Sequence, residues 1–340
     1  MVMLRLVRPA VKYDIASCGI VSRASSIRWQ STGLKPTSDS TFNPNSIYVV
    51  SFPITTHKSY IYCNHEPSLL AQSQLSTYPI LTKVETKITG LALKAWNKLK
   101  LSELEINKKI TKLVYSLLNT VPYDESCLTS FPSQSSMIRE INKEVLSNNE
   151  KVNTMVQSQI DHLKIPQNQL KPIPLYHPTF QHSNSIIDQL KLFKDDSYAK
   201  HMKYAILCGI GVPISLPLAI IPLVPNVPGL YLAYRLYCNV KLLMGAKHLD
   251  YLLQDDQHLL FKPQGKIDAI YRLDNFANEL LDQSEVSKNF DEEKVLITED
   301  IIEGLVSHFH LHHLKSELIK AMNQESKRIN QNLKVNDIVE

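Results

Sequence analysis

The chain has 340 residues and carries 37 lysines and arginines against 33 acids, which gives a formal net charge of +4. Residues 1–30 contain five basic residues and one acid, Asp14, so this segment alone accounts for a charge of +4 and the remainder is close to neutral. A near-neutral chain lacks the basic patch of a nucleic-acid-binding protein, and we expect no nucleic-acid partner.

Residues 1–30 are basic, contain serine and are poor in acids, which is typical of a mitochondrial transit peptide. The alternative is a disordered basic tail. Residues 31–46, rich in Ser, Thr, Asn and Pro, are interpreted as a linker. The cysteines that follow lie far apart without a CxxC pair, so they form neither a zinc-binding template nor a recognisable disulfide framework. We expect them to be structural.

A small α+β domain is predicted for residues 47–165. Two runs of β-branched and aromatic residues, 47–52 and 59–63, indicate a β-hairpin. Apolar residues then recur every three or four positions over residues 81–99 and again over residues 106–117, which predicts two amphipathic helices.

The loop at residues 121–132 holds two adjacent carboxylates, Asp124 and Glu125. Such a pair can suggest acid–base catalysis. At the start of a helix, acids complement the positive end of the helix dipole, and we favour that structural role. The chain contains no motif of a nucleotide-binding site, a serine hydrolase or a zinc protease, so we expect a protein that is not an enzyme and uses no cofactor.

A proline-rich connector is predicted for residues 166–185, followed by a short helix over residues 186–203. Residues 204–234 then carry no charge. At about 1.5 Å per residue, such a run is long enough to cross a bilayer. Because five prolines interrupt it, we expect a membrane segment over residues 204–244 that is a kinked span or a re-entrant hairpin. The alternative is a buried helical hairpin in a soluble core.

Two groups of residues in this segment are functional candidates. The first group lines an ion path through exposed carbonyls or forms a tight membrane turn, and it consists of Pro222, Pro225, Asn226 and Pro228. The second group is expected to anchor the segment at the membrane interface, and it consists of Tyr231, Tyr234, Arg235 and Tyr237. Within the membrane zone, Arg235 must pair or extend to the interface, because an unpaired buried cation is costly.

Residues 245–340 are predicted to form a helical C-terminal region. His308 and His312 lie four residues apart on a helix predicted over residues 298–322, a spacing that can hold zinc. No Glu completes an HExxH motif and the pattern lacks a third ligand, so we predict no metal site. A pH-sensing histidine cluster and a packed or solvated helix face are the other interpretations.

Four segments of the chain resemble sequences of a known protein family. They are the hairpin, VPYDESCLTSFP at 121–132, ISLPLAIIPLVPNVPGLYLAYR at 214–235 and GAKHLDYLL at 245–253. Together they resemble the fungal mitochondrial K+/H+ exchange-related family over about residues 47–253. Asp-Glu-Ser at 124–126 departs from the Glu-Glu-Trp or similar sequence expected of the family, which counts against an interface role for this loop. The resemblance implies a mitochondrial inner-membrane protein that potassium/proton exchange requires, and it transfers no ion-binding residue.

The predicted fold is therefore a mostly α membrane protein with a small α+β N-terminal domain, a proline-broken membrane segment and a helical C-terminal tail. We expect a component or regulator of potassium/proton exchange across the mitochondrial inner membrane. It has one apolar unit and no internal repeat, so it would act in a homo-oligomer or with other inner-membrane proteins. The lipid bilayer is the expected partner, and potassium ions and protons are possible ligands. The alternative is a membrane-anchored scaffold or assembly factor that affects ion homeostasis indirectly.

Overall fold

A computed structural model describes residues 46–65, 105–141, 154–215, 227–254, 258–287 and 293–339, with a few single positions between 90 and 103 and at 217. The strands in this part of the chain are β1 Tyr48–Pro53, β2 Ser59–Asn64, β3 Ile138–Glu140, β4 Thr154–Val156, β5 Ile173–His177 and β6 Leu259–Pro263. The helices are α1 Glu105–Asn119, α2 Tyr123–Ser130, α3 Gln157–Leu163, α4 Ser183–Ser215, α5 Val227–Leu253, α6 Gly265–Arg272, α7 Asn275–Ser287, α8 Glu299–His308 and α9 Lys315–Val339.

The central sheet has the strand order β2-β1-β5-β6. The predicted hairpin is confirmed, because β1 and β2 pair in antiparallel fashion with Val50 opposite Tyr62. β5 runs parallel to β1, and β6 runs parallel to β5. The predicted helix over residues 106–117 is confirmed as α1. The predicted transit peptide and most of the predicted helix over residues 81–99 lie outside the described residues.

Helices cover both faces of the central sheet. Successive strand residues point to opposite faces, so Val50 and Phe52 pack on one side while Val49 and Ile61 pack on the other. The first side is covered by α6 to α9 and the second by α4 and α5, with α2 contributing to both. Every residue of β1 and β2 is buried, as expected for strands between two helical layers.

The predicted mostly α membrane fold with a proline-broken membrane segment is wrong. The structure is an α+β arrangement around a four-stranded sheet. Among the described residues, no helix combines the length and the apolar composition that crossing a membrane requires. The uncharged run is divided between two helices: its beginning completes α4, whose residues 183–203 are largely polar, and its end opens α5, which continues with Arg235 and Lys241. A run that is continuous in sequence is therefore not one apolar helix.

α4 and α5 form an antiparallel helical hairpin. Its register is fixed by two polar contacts: Lys194 Nζ lies 2.9 Å from Asp250 Oδ1, and His201 Nδ1 lies 2.8 Å from Asn239 Oδ1. Farther along, a Cβ placed on Gly211 would lie 3.0 Å from a methyl group of Leu232. The half of the hairpin nearest the sheet is packed into the core, whereas the other half extends beyond it.

Candidate functional site

The short helix α2 packs directly against α5. It begins after Pro122, where a missing backbone N–H is tolerated, and it ends at Ser130, because Phe131 before Pro132 is extended. Glu125, in its first turn, accepts two hydrogen bonds from Arg235, at 2.8 Å from Nη1 and 3.2 Å from Nη2. The two side chains are only 10% and 14% exposed. The geometry is that of a bidentate, largely buried ion pair.

The surroundings of Arg235 favour its charged form. Burial by itself lowers the pKa of the guanidinium, but the hydrogen bonds and negative charge of Glu125 outweigh burial and raise that pKa. The backbone carbonyl of Arg235 accepts a hydrogen bond from Asn239 Nδ2 at 2.7 Å. Asn239 in turn contacts His201 of α4, so the ion pair is connected to both helices of the hairpin.

Two further contacts hold α5 to α2 and to the residues just after it, at Gly245 and His248, six and nine residues beyond Asn239. A Cβ placed on Gly245 would lie 2.3 Å from the carbonyl oxygen of Leu128, so a glycine is required where the two backbones approach. His248 Nδ1 lies 3.0 Å from the carbonyl oxygen of Pro132 and donates to it. Burial lowers the pKa of His248 to about 3, so this histidine is neutral near physiological pH. We call the Glu125–Arg235 pair together with the Gly245 and His248 contacts the α2–α5 contact.

The C-terminal helix α9 holds α2 from another side. Ser126 Oγ donates to Glu317 Oε2 at 2.8 Å, and this hydrogen bond is buried. The backbone N–H of Tyr123 donates to Gln324 Oε1 at 2.9 Å, while Gln324 Nε2 donates to the carbonyl of Val121 at 2.9 Å. α2 is thus fixed between α5 and α9, and a displacement of either helix must act on it.

A small cleft opens beside the ion pair. It is lined by Val121, Glu125, Ser126, Thr129, Tyr234, Arg235 and Cys238. Burial raises the pKa of the Cys238 thiol, which therefore stays protonated and weakly nucleophilic. Glu125 is engaged by Arg235, so the carboxylate in this cleft is not positioned as a general base. The arrangement is suited to holding helices together rather than to a chemical step.

Asp124, which precedes Glu125 in α2, has a carboxyl group whose pKa is shifted. Burial raises the pKa of its carboxyl from 3.8 to about 6; Glu325 adds to the increase, whereas Lys58, Tyr123 and Lys200 oppose it. Its Oδ1 atom is buried without a hydrogen-bond partner. The folded protein therefore binds this proton more tightly than the unfolded chain does. The free energy of unfolding falls as the pH rises from 3.8 to about 6, and at higher pH it stays lower by a constant amount.

Replacing Asp124 with asparagine should remove that penalty. Above about pH 6, we expect the variant to have a free energy of unfolding roughly 2–3 kcal/mol larger than the unmodified protein. Below the unfolded value of 3.8, the two proteins should be equally stable. Urea unfolding of both proteins across this pH range measures the difference, and subtracting the curves cancels the opposite contribution of buried histidines such as His248. A pH-independent difference would contradict this assignment.

The predicted site residues that the structure describes lie at different places on α5. Arg235 and Tyr234 lie at the α2–α5 contact, and Tyr231 and Tyr237 are half-buried on α5. Pro228 is exposed in the first turn of α5. The remaining ion-path candidates, Pro222, Pro225 and Asn226, lie outside the described residues.

His308 and His312 do not share a helix. The helix predicted over residues 298–322 is interrupted between α8 and α9, where His310 adopts a positive φ of 55°. His308 ends α8, and His312 begins a short 3-10 turn. No group of three or more His, Cys, Asp or Glu side chains in the described part of the chain is arranged to hold a metal ion.

The pairing of Glu125 with Arg235 was not predicted, although the sequence contains a signal for it. A lone arginine early in an apolar helix requires a buried acceptor. Two segments that resemble one family each supply one charge, an acid in residues 121–132 and a base in residues 214–235. Considering both segments as one packed unit would have suggested the pair. The family departure at 124–126 leaves Glu125 in place, and the loop does form an interface, with α5 of the same chain.

The fold and the α2–α5 contact define an α+β protein in which a long helical hairpin packs on a central sheet and is held to the short helix α2 by buried polar contacts. The model of the family described as mitochondrial K+-H+ exchange-related matches residues 48–253. The chain belongs to this family. The match ends at the last residue of α5, and all members of the α2–α5 contact fall within it.

Two uncharacterized fungal proteins are similar to this chain. One, from Saccharomyces cerevisiae, is 33% identical over 304 residues, which is 88% of this chain and 91% of the relative. The other, from Schizosaccharomyces pombe, is 25% identical over 201 residues, which is 59% of this chain and 73% of the relative. No solved structure matches the chain. The similarity to the Saccharomyces protein extends past α5 and includes much of the C-terminal region.

Proposed function

We propose that this protein is a component or regulator of potassium/proton exchange across the mitochondrial inner membrane, and that it acts in a complex by docking the far end of its helical hairpin. Family membership supports the process and the organelle. The observation that carries the docking role is the unusual exposure of large apolar side chains on the half of the hairpin that extends beyond the core.

The exposed apolar residues are concentrated on the last three turns of α4 and the first turn of α5. They include Ile206, Leu207, Ile210, Ile214 and Leu230. Leu207 is 63% exposed and Ile214 is 71% exposed. Contiguous apolar patches on a protein surface mark sites where another surface binds, because burying them removes apolar area from water. We call this half of the hairpin, residues 204–215 and 227–238, the apolar end.

The α2–α5 contact supports the docking role mechanically. It holds α5 at Arg235, Gly245 and His248, so the apolar end projects from a fixed base. α9 holds the same short helix α2 through Glu317 and Gln324. A change at the docked end can therefore be transmitted to the sheet and to the C-terminal helices, as a regulatory component requires.

Mitochondria from cells that lack the protein provide the test. Matrix swelling in potassium acetate should be restored by the unmodified chain and not by the double substitution Leu207→Gln and Ile210→Gln, which makes the apolar end polar. The matched control is Leu273→Gln with Phe276→Gln, because these side chains are also exposed, at 71% and 52%, but lie on the opposite layer. Full restoration by the hairpin variant, at equal protein levels, would contradict the docking role.

A further inference from the structure

Arg139 of β3 is buried without a counter-charge. The residue is 2% exposed, and its Nη2 atom donates to the carbonyl oxygen of Lys171 at 3.3 Å. The other two guanidinium nitrogens, Nε and Nη1, are buried and find no acceptor among the residues that the structure describes. A buried guanidinium with unpaired donors is costly, because it has lost its hydration and gained no partner in exchange. Such a group indicates that an acceptor from outside the chain binds there.

No carboxylate of the described residues compensates this charge. Glu140, the next residue of β3, has its carboxylate 3.2 Å from Lys171 Nζ. Burial lowers the pKa of the Arg139 guanidinium, and Tyr251 of α5 is the side chain that opposes the decrease. Arg235 is also largely buried, but an adjacent carboxylate outweighs its burial and raises its pKa. The two buried arginines therefore differ in that Arg139 has no acid beside it.

The groups around Arg139 add positive charge. His248 of α5 is fully buried. Its pKa is lowered first by burial and further by positive charge on His65, Arg139 and His258. His258 lies against Tyr251, with 4.4 Å between the two ring centroids. We call the four basic residues the basic cluster, and they are His65, Arg139, His248 and His258. They come from four separate parts of the chain, so the fold concentrates basic groups at this place.

We infer that the basic cluster binds a small oxyanion, a phosphate or a carboxylate group, on the free donors of Arg139. A planar guanidinium matches the oxygens of such groups and forms short, charge-assisted hydrogen bonds with them. One oxyanion supplies both the acceptors and the negative charge that Arg139 needs. A water molecule would supply acceptors alone and would leave the buried charge uncompensated.

The position of the cluster gives the bound anion a structural consequence. His248 donates to the carbonyl of Pro132 within the α2–α5 contact, and Arg139 belongs to the small β3–β4 sheet. An anion held between them strengthens the base of the helical hairpin. Because Arg139 is 2% exposed, the anion enters through a local opening, and its association is slow. The cluster lies outside the apolar end, so a failure of anion binding leaves the docking role unaffected.

Calorimetric titration of the purified full chain with inorganic phosphate, in a chloride buffer, tests this inference. The heat should saturate at one phosphate per chain. Arg139→Met should lower the affinity by on the order of 100-fold, because a desolvated charge pair is lost. Arg139→Lys should cause a smaller loss, because an ammonium group keeps the charge but not the planar pair of donors.

An arginine elsewhere in the chain provides the control for the titration. Arg272 Nη1 lies 2.9 Å from Asp282 Oδ1 on the surface, and Arg272→Met should leave phosphate binding unchanged. A titration with acetate distinguishes the two sources of the oxyanion, since the tighter ligand identifies the class. The inference would be overturned if neither anion gave saturable heat. An equal loss of affinity in Arg272→Met would also overturn it.

Thermal unfolding gives a second readout that does not depend on heats of binding. Phosphate should raise the unfolding midpoint of the unmodified chain more than that of Arg139→Met, whose response measures the general exclusion of phosphate from protein surfaces. Without phosphate, Arg139→Met should unfold at an equal or higher midpoint, because the substitution removes a buried charge that has no partner. A lower midpoint, together with equal responses of the two proteins to phosphate, would make Arg139 a structural residue and contradict the anion site.

Discussion

Replacing Glu125 with glutamine is expected to lower the free energy of unfolding by roughly 3 kcal/mol, because it leaves the largely buried Arg235 without its charge partner. Removing one member of a buried pair costs more than the pair contributes, since the remaining charge stays out of water. Urea unfolding of the purified chain, followed by circular dichroism, measures the change in the midpoint and in the free energy.

An exposed ion pair of the same hairpin provides the control for that experiment. Lys194 and Asp250 contact each other at 2.9 Å, but their side chains are 29% and 45% exposed. Asp250→Asn should therefore cost less than about 1 kcal/mol. Replacing both Glu125 and Arg235 with glutamine should be less harmful than replacing Glu125 alone, because no unpaired charge remains. Equal costs for Glu125→Gln and Asp250→Asn would show that the buried pair does not hold α2 against α5.

Gly245→Ala is expected to destabilise the protein by about 3 kcal/mol, at the upper end of the range for overpacked sites. An alanine in the middle of an ordinary helix is favoured over glycine by about 1 kcal/mol. At Gly245, the added Cβ would lie 2.3 Å from the carbonyl oxygen of Leu128, a backbone atom that cannot rotate away. The two helices must separate, which also disturbs the hydrogen bond from His248 to Pro132.

A second glycine gives the matched comparison. No atom lies within 4 Å of a Cβ placed on Gly265, in the first turn of α6. Gly265→Ala should therefore leave the protein equally stable or slightly more stable. Thermal unfolding of both variants tests the difference, and a Gly245→Ala protein as stable as the Gly265→Ala protein would contradict the close approach of α2 and α5.

Local sequence patterns predicted the elements that depend on local interactions. β1 and β2 follow from two short β-branched and aromatic runs, and α1 follows from apolar spacing of three and four. β5 and β6 were missed because their signals are weak. β5 lies among prolines in the segment interpreted as a connector, and its partner β6 is more than 80 residues away in the chain. Parallel pairing at that separation has no local sequence signature.

The membrane segment shows how a continuous apolar run can mislead. Hydropathy over residues 204–234 is the same whether the run forms one helix or the ends of two. In the structure the run is divided between two helices. α4 begins 21 residues before Tyr204, and α5 continues well past Arg235. Apolar residues such as Leu190 of α4 and Leu249 of α5 pack into the core beside the sheet, and these tertiary contacts decide the outcome. The same limit applies to the candidate site: the need of Arg235 for a partner was predictable, whereas Glu125, 110 residues earlier, was not.

Potassium-dependent proton flux should be measured across inner-membrane vesicles from cells that lack the protein, before and after the purified full chain is added. We expect the flux to be low without the protein and to rise to the normal level when the unmodified chain is added, but not when the Leu207→Gln, Ile210→Gln variant is added. Normal flux in vesicles that lack the protein would contradict a role in exchange. Low flux that the added chain never restores would instead assign it to assembly of the exchange system.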